Sequence, residues 1–113
     1  MFNIGDMMGK FKEMQERLKD AKEKLDDIIV ESEAGGGMVR VKANANRKIL
    51  QIKIDPDIVD KDDLEITEDL ITAAVNKALD QAEERGREEL QGATEGLVPN
   101  IPGLDLSKFG LSQ

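Results

Sequence analysis

The chain has 113 residues, 35% of them charged and 39% hydrophobic, and its net charge is −8. This length is typical of one small domain. Because Cys and His are both absent, the chain lacks the usual zinc ligands, a thiol nucleophile and a side chain that titrates near neutral pH. We therefore expect no enzyme, no metal site and no cofactor. No apolar run is long enough to cross a membrane and the start does not resemble a signal peptide, so we expect a cytoplasmic protein without a membrane partner.

A long amphipathic helix is predicted from Asp6 to Asp27. Its apolar residues alternate between spacings of four and three, the heptad pattern of a helix that packs along a seam. The seam residues nearest the start are Met7, Phe11, Met14 and Leu18. Because this helix is longer than a small sheet, part of the seam needs another partner. We predict a homodimer with these four residues as its candidate seam.

Three basic residues of this helix each follow an acidic residue by four positions. The pairs are Asp6 with Lys10, Glu13 with Arg17, and Asp20 with Lys24. Such pairs on an exposed helix are usually ion pairs that add a few tenths of a kcal/mol each, about 0.2–0.5. The three cations are equally a candidate stripe for phosphate groups, and both interpretations stay open.

Short strands are predicted in the middle of the chain. A β-branched segment at 28–33 is followed by Gly35-Gly36-Gly37, which we interpret as a hairpin loop because the Walker phosphate-loop pattern is absent. Apolar and polar residues then alternate from Val39 to Ala45, the period of a half-buried strand. Asn46-Arg47 is the predicted turn, with Asn46 tolerating a positive φ. The next strand has Leu50, Ile52 and Ile54 on one face.

A second helix is predicted after Asp55-Pro56, which ends the sheet. Thr67 is its expected cap, and Gly86 is expected to bend or fray it. The acidic segment 55–65 does not match a calcium-loop pattern, so we interpret it as a solvated linker. We expect one domain at 1–92 and a flexible Gly- and Pro-containing tail at 93–113.

Charge is strongly segregated along the chain. Residues 35–54 contain five basic and no acidic side chains, whereas residues 55–92 contain thirteen acidic and four basic ones. The basic residues are Arg40, Lys42, Arg47, Lys48 and Lys53. If the two strands pair, these cations share one surface without a carboxylate from the same segment. They are either the solvent-facing side of ordinary strands or, together with Lys10, Arg17 and Lys24, candidate DNA contacts.

An ordered set of segments resembles the YbaB/EbfC family of bacterial nucleoid-associated proteins over nearly the whole chain. The segments are Met7-Met8-Gly9-Lys10, Val30-Glu31 followed by Gly35-Gly36-Gly37-Met38-Val39-Arg40-Val41, Ile49 to Pro56, and Glu68 to Ala78. The predicted elements, taken in order, make an α+β fold with a long N-terminal helix, a three-stranded antiparallel sheet and a second long helix. The resemblance implies a homodimer with projecting helical arms that binds duplex DNA in the nucleoid with low or moderate sequence specificity. It implies no catalytic site and no cofactor.

A different class of function also fits the composition. A small acidic dimer that binds a protein segment, as an adaptor or chaperone, would use the seam and the apolar residues of the tail. Those tail residues are Leu97, Ile101, Leu104, Leu106 and Phe109. Salt dependence separates the two functions, because phosphate binding weakens steeply as salt rises and apolar docking does not.

Overall fold

The computed structural model describes residues 4–95 and confirms the predicted α+β order of elements. The helices are α1 (Ile4–Lys24) and α2 (Glu65–Thr94), and the strands are β1 (Ile29–Ala34), β2 (Val39–Asn44) and β3 (Ile49–Ile54). Two single 3₁₀ turns, Leu25–Asp27 and Pro56–Ile58, join the helices to the sheet. The predicted tail falls outside the described residues from residue 96 onwards.

The three strands form one antiparallel sheet with β2 in the centre. Val41 lies opposite Ser32 of β1 and Ile52 of β3, so the alternating residues of β2 share one face with their neighbours. Register shifts between Lys42 and Ala43, where Ala43 pairs with Ile49 and Leu50 becomes the extra residue of a β-bulge. Ile49 therefore packs against the core, whereas Leu50 is 49% exposed.

The core lies between α2 and the β1–β2 half of the sheet. Ala74, Ala78 and Ala82 recur at intervals of four on α2 and are completely buried against the valines of β2. Their small side chains let the helix backbone lie close to the sheet. The hydroxyl of Ser32 donates a hydrogen bond of 2.5 Å to the carbonyl oxygen of Ala74, so β1 is also tied directly to α2.

Helix α1 packs mainly against α2 rather than against the sheet. Near the sheet, Ala21 of α1 and Leu25 of the following 3₁₀ turn are buried, and burial falls towards the start of α1, where Met7 is 53% and Phe11 57% exposed. α1 therefore extends past the sheet as an arm, as the sequence predicts, and the principal dimensions of the molecule are 74 × 27 × 16 Å.

Two expectations for α2 were wrong. The helix begins at Glu65, and Thr67 is not its cap but a buried residue whose hydroxyl donates to the carbonyl oxygen of Ile58 at 3.1 Å. The helix also does not fray at Gly86 but continues to Thr94. Gly86 is buried where α2 crosses the β2–β3 connection, and a Cβ at this position would lie 2.8 Å from the carbonyl oxygen of Ala45.

We predict that Gly86→Ala destabilises the fold by about 1–3 kcal/mol. The added methyl group would clash with the carbonyl oxygen of Ala45, so α2 and the β2–β3 connection would have to move apart. Gly92→Ala is the matched control in the same helix, since a Cβ there meets nothing within 4 Å. Helix propensity alone should make the control neutral or more stable by up to about 1 kcal/mol. Urea unfolding of both variants measures the difference, and equal midpoints would contradict the close contact at Gly86.

Candidate nucleic-acid interface

The face of the sheet opposite α2 carries three of the predicted cations. Arg40 and Lys42 alternate with the buried valines of β2 and are exposed, and Lys53 of β3 lies directly opposite Arg40. Strand pairing therefore brings Arg40, Lys42 and Lys53 onto one surface, which we call the outer face. Arg47 and Lys48 lie in the connection between β2 and β3, which we call the hairpin tip.

Strand β1 adds carboxylates to the outer face that the sequence interpretation did not anticipate. Glu31 lies opposite Lys42, and Glu33 lies opposite Arg40. The Lys42 ammonium is 3.6 Å from a carboxylate oxygen of Glu31, with both side chains at least half exposed. An exposed pair of this kind contributes little to stability, yet it lowers the positive potential of the surface. Residues 35–54 contain no carboxylate, as noted above, but pairing with β1 supplies two from outside that segment.

The hairpin tip has a backbone geometry different from the prediction. Arg47, not Asn46, has the positive φ, at 64°. The side-chain oxygen of Asn44 accepts hydrogen bonds from the backbone N–H of Asn46 at 3.0 Å and of Lys48 at 3.1 Å. The N–H of Arg47 donates to the carbonyl oxygen of Asn44 at 3.0 Å. The buried Asn44 side chain thus holds the backbone on both sides of Arg47.

The same connection is attached to the base of the arm. The N–H of Ala45 donates to the carbonyl oxygens of Ile28, at 2.8 Å, and Leu25, at 3.1 Å. The Asn46 amide donates to a carboxylate oxygen of Asp26 at 3.1 Å. These bonds fix the hairpin tip relative to the end of α1.

The arm carries fewer ion pairs than its spacing predicts. Glu13 and Arg17 form the expected contact, with 3.0 Å between the carboxylate oxygen and the guanidinium nitrogen. Within residues 4–95, Lys10 and Lys24 have no carboxylate oxygen within 4 Å, so the pairs with Asp6 and Asp20 are not formed. Two of the three arm cations are consequently available to an external anion.

Acidic side chains dominate α2, which covers the opposite side of the sheet. The two arginines near its end are already paired, Arg85 with Glu88 at 3.2 Å and Arg87 with Glu84. In the part of the chain that the structure describes, no three acidic residues group as a metal site. Asp55 and Asp60 accept backbone hydrogen bonds from the residue two positions later, which is the role of turn-forming carboxylates.

Sequence reasoning missed two features of this region. It predicted the hairpin between β1 and β2 but not its consequence, which is that the alternating Glu31 and Glu33 lie beside the cations of β2. It also missed the structural role of Asn44. Two asparagines within three residues are a signal for side-chain hydrogen bonds to a turn, and that signal was available in the sequence.

The fold and the charged outer face describe a small α+β protein with an arm and a polar sheet surface. No helix among residues 4–95 is both long enough and apolar enough to cross a bilayer. The model of the YbaB/EbfC DNA-binding family matches residues 1–97, and the chain belongs to this family. It is a DNA-binding family and not a class of enzymes.

Individual relatives agree with this assignment. A nucleoid-associated protein of Thermoanaerobacter pseudethanolicus is 50% identical over 103 residues, 91% of each chain. One from Chlorobaculum parvum is 41% identical over 110 residues, which cover 97% of this chain and 96% of the relative. The fold is similar to the crystal structure of an uncharacterized protein from Helicobacter pylori, with a TM-score of 0.69 and 26% identity over 85% of this chain and all of that one.

We predict that Asn44→Ala destabilises the protein by about 1–3 kcal/mol, because two partly buried backbone N–H groups of the hairpin tip lose the acceptor that the buried Asn44 side chain provides. Asn46→Ala is the control, since Asn46 is exposed and the substitution removes its side-chain hydrogen bond to Asp26 while keeping its backbone N–H. Urea midpoints measure stability, and hydrogen exchange at Asn46 and Lys48 reports the local loss. Exchange rates unchanged by Asn44→Ala would show that its side chain does not hold the turn.

Proposed function

We propose that the protein binds duplex DNA as a homodimer, with low or moderate sequence specificity, and helps to organise the chromosome or influence gene expression in the cytoplasmic nucleoid. Membership of a DNA-binding family is the observation that carries this proposal. The names of its relatives as nucleoid-associated proteins support the cellular setting. The segregation of charge supports it physically, since the basic residues lie on the outer face, the hairpin tip and the arm.

The net charge of −8 restricts how DNA can approach. Phosphate groups are repelled by the acidic surface of α2, so the duplex must meet the sheet from its outer face, the arm, or both. On β2 the distance from Arg40 to the start of the hairpin tip is about 13 Å for four residues. Duplex DNA carries one charge per about 1.7 Å of its axis, so this surface spans several phosphates. A second copy doubles the number of contacts.

We predict that the double variant Arg40→Glu with Lys42→Glu weakens binding to a mixed-sequence duplex and leaves the oligomeric state unchanged. Each phosphate contact that is lost should reduce the slope of log affinity against log salt by about 0.9. Fluorescence anisotropy titrations at several salt concentrations measure both quantities. The control is Arg85→Glu with Arg87→Glu, which changes the net charge equally on α2 and should have a much smaller effect.

The double variant Lys10→Glu with Arg17→Glu tests in the same assay whether the arm contacts DNA. Since Arg17→Glu also removes the contact with Glu13, the melting temperature of this variant must be measured beside its affinity. An unchanged affinity in the Arg40 and Lys42 double variant, with a loss in the arm variant, would move the contact surface from the sheet to the arm.

Two apolar surfaces are available for the second copy. The first is the predicted seam on α1, where Met7 and Phe11 are more than half exposed and Met14 and Leu18 are half-buried. The second is the inner face of β3, which α2 leaves open. Ile52 and Ile54 lie opposite the fully buried Val41 and Val39, yet they remain 42% and 37% exposed. We propose the inner face of β3 as the main contact, since it continues the core, with the α1 seam as the competing prediction.

We expect Ile52→Glu to dissociate the dimer and Phe11→Glu to leave it intact, because a buried carboxylate at a subunit contact is costly whereas an exposed one is not. Both positions are exposed in the protomer, so neither variant should unfold it. Sedimentation equilibrium measures the dissociation constants. Dissociation by Phe11→Glu alone would place the contact on the α1 seam instead.

A protein-binding adaptor or chaperone is the alternative function, and the same exposed apolar residues favour it. The tail residues assigned to this function lie outside the described residues. The salt titration separates the two functions, because a protein segment held by apolar contacts stays bound at salt concentrations that release DNA. Absence of DNA binding even at low salt would favour the adaptor.

A further inference from the structure

Arg47 occupies a backbone position that suits glycine better. Its φ of 64° lies in the left-handed region, and within residues 4–95 the other positive φ values belong to Gly35, Gly36 and Gly37. A side chain with a Cβ is disfavoured there, and arginine has no short polar group that compensates locally, as asparagine does. The turn therefore keeps a long cationic side chain at a cost in the free energy of unfolding.

The turn cannot relieve this geometry by moving. The Asn44 side chain holds the N–H groups on both sides of Arg47, and the Ala45 N–H is bonded to the carbonyl oxygens at the base of the arm. The Ala45 carbonyl in turn lies against the backbone of α2 at Gly86. Arg47 is therefore presented from a rigid support and not from a loose loop.

The protein itself provides no partner for this side chain. In the described part of the chain, the Arg47 guanidinium has no hydrogen-bond acceptor and no carboxylate oxygen within 4 Å, and the same is true of the Lys48 ammonium. Both residues are exposed. Within residues 4–95, the Arg47 side chain thus forms no hydrogen bond or ion pair that would offset its backbone conformation, which suggests an external ligand.

We propose that Arg47 is a phosphate-binding residue, presented together with Lys48 to the backbone of duplex DNA where the sheet meets the arm. This inference rests on the proposed DNA-binding function and assigns one of its contacts. The planar guanidinium donates two parallel hydrogen bonds to a phosphate, which a flexible lysine does not reproduce. The hairpin tip lies between the outer face and the arm, so a duplex that follows either surface passes Arg47.

Arg47→Gly should change stability and binding in opposite directions. Removing the Cβ relieves the left-handed backbone, so the urea midpoint should rise or stay equal. Removing the guanidinium should weaken DNA binding severalfold and reduce the salt slope by about 0.9 for each protomer that loses a contact. Arg47→Lys keeps the charge and the backbone geometry. It should retain the salt slope and bind with intermediate affinity.

Arg85→Gln is the matched control, because it removes the same charge from α2, where Arg85 is already paired with Glu88. All four proteins, including the natural sequence, are titrated against one mixed-sequence duplex in parallel. If Arg47→Gly loses no more DNA affinity than Arg85→Gln, or if its salt slope is unchanged, Arg47 does not contact phosphate. The proposed DNA-binding function would still hold in that case. A lower urea midpoint for Arg47→Gly than for the natural sequence would contradict the claim that the backbone at Arg47 is strained. A natural sequence that binds no DNA overturns both proposals.

Discussion

The close contact between α2 and the β2–β3 connection determines the arrangement of the whole molecule. At Gly86 the helix lies against the carbonyl oxygen of Ala45 without space for a side chain. The N–H of the same Ala45 is bonded to the carbonyl oxygens of Leu25 and Ile28, so one residue joins the sheet, the second helix and the base of the arm. The arm consequently leaves the domain at a fixed place, although most of its length contacts neither the sheet nor the core.

The position of α2 on one side of the sheet separates the apolar core of the protein from its polar surface. The alternation of β2 sends Val39 and Val41 towards α2 and Arg40 and Lys42 to the outer face. The short alanines of α2 let the helix lie close to β1 and β2, whereas its contact with β3 is much less extensive. β3 is left with its inner face open, so the protomer has an exposed apolar surface on one side of the sheet and a cationic surface on the other.

Much of the fold was predictable because periodicity reports local geometry directly. The heptads of α1, the alternation of β2 and the small residues of α2 each lie where the sequence predicted them. Contacts between distant segments were not predictable. Thr67 was interpreted as a cap from its neighbours alone, whereas its partner is the carbonyl oxygen of Ile58. Gly86 was expected to weaken the helix, because the sequence does not reveal that a backbone carbonyl lies against it. In the candidate site, two local features also went unassigned: the β1–β2 register that places Glu31 opposite Lys42, and the positive φ at Arg47.

The carboxylates of β1 have a further consequence, beyond lowering the potential of the outer face. β1 is an edge strand, and the backbone groups along an unpaired edge are a template for pairing with another chain. Glu31 and Glu33 are exposed at alternate positions of this six-residue strand. If two copies approached edge to edge in antiparallel register, like charges would lie close together across the new ladder. The residues that reduce the attraction of the sheet for phosphate therefore also disfavour pairing between the exposed edges of two copies.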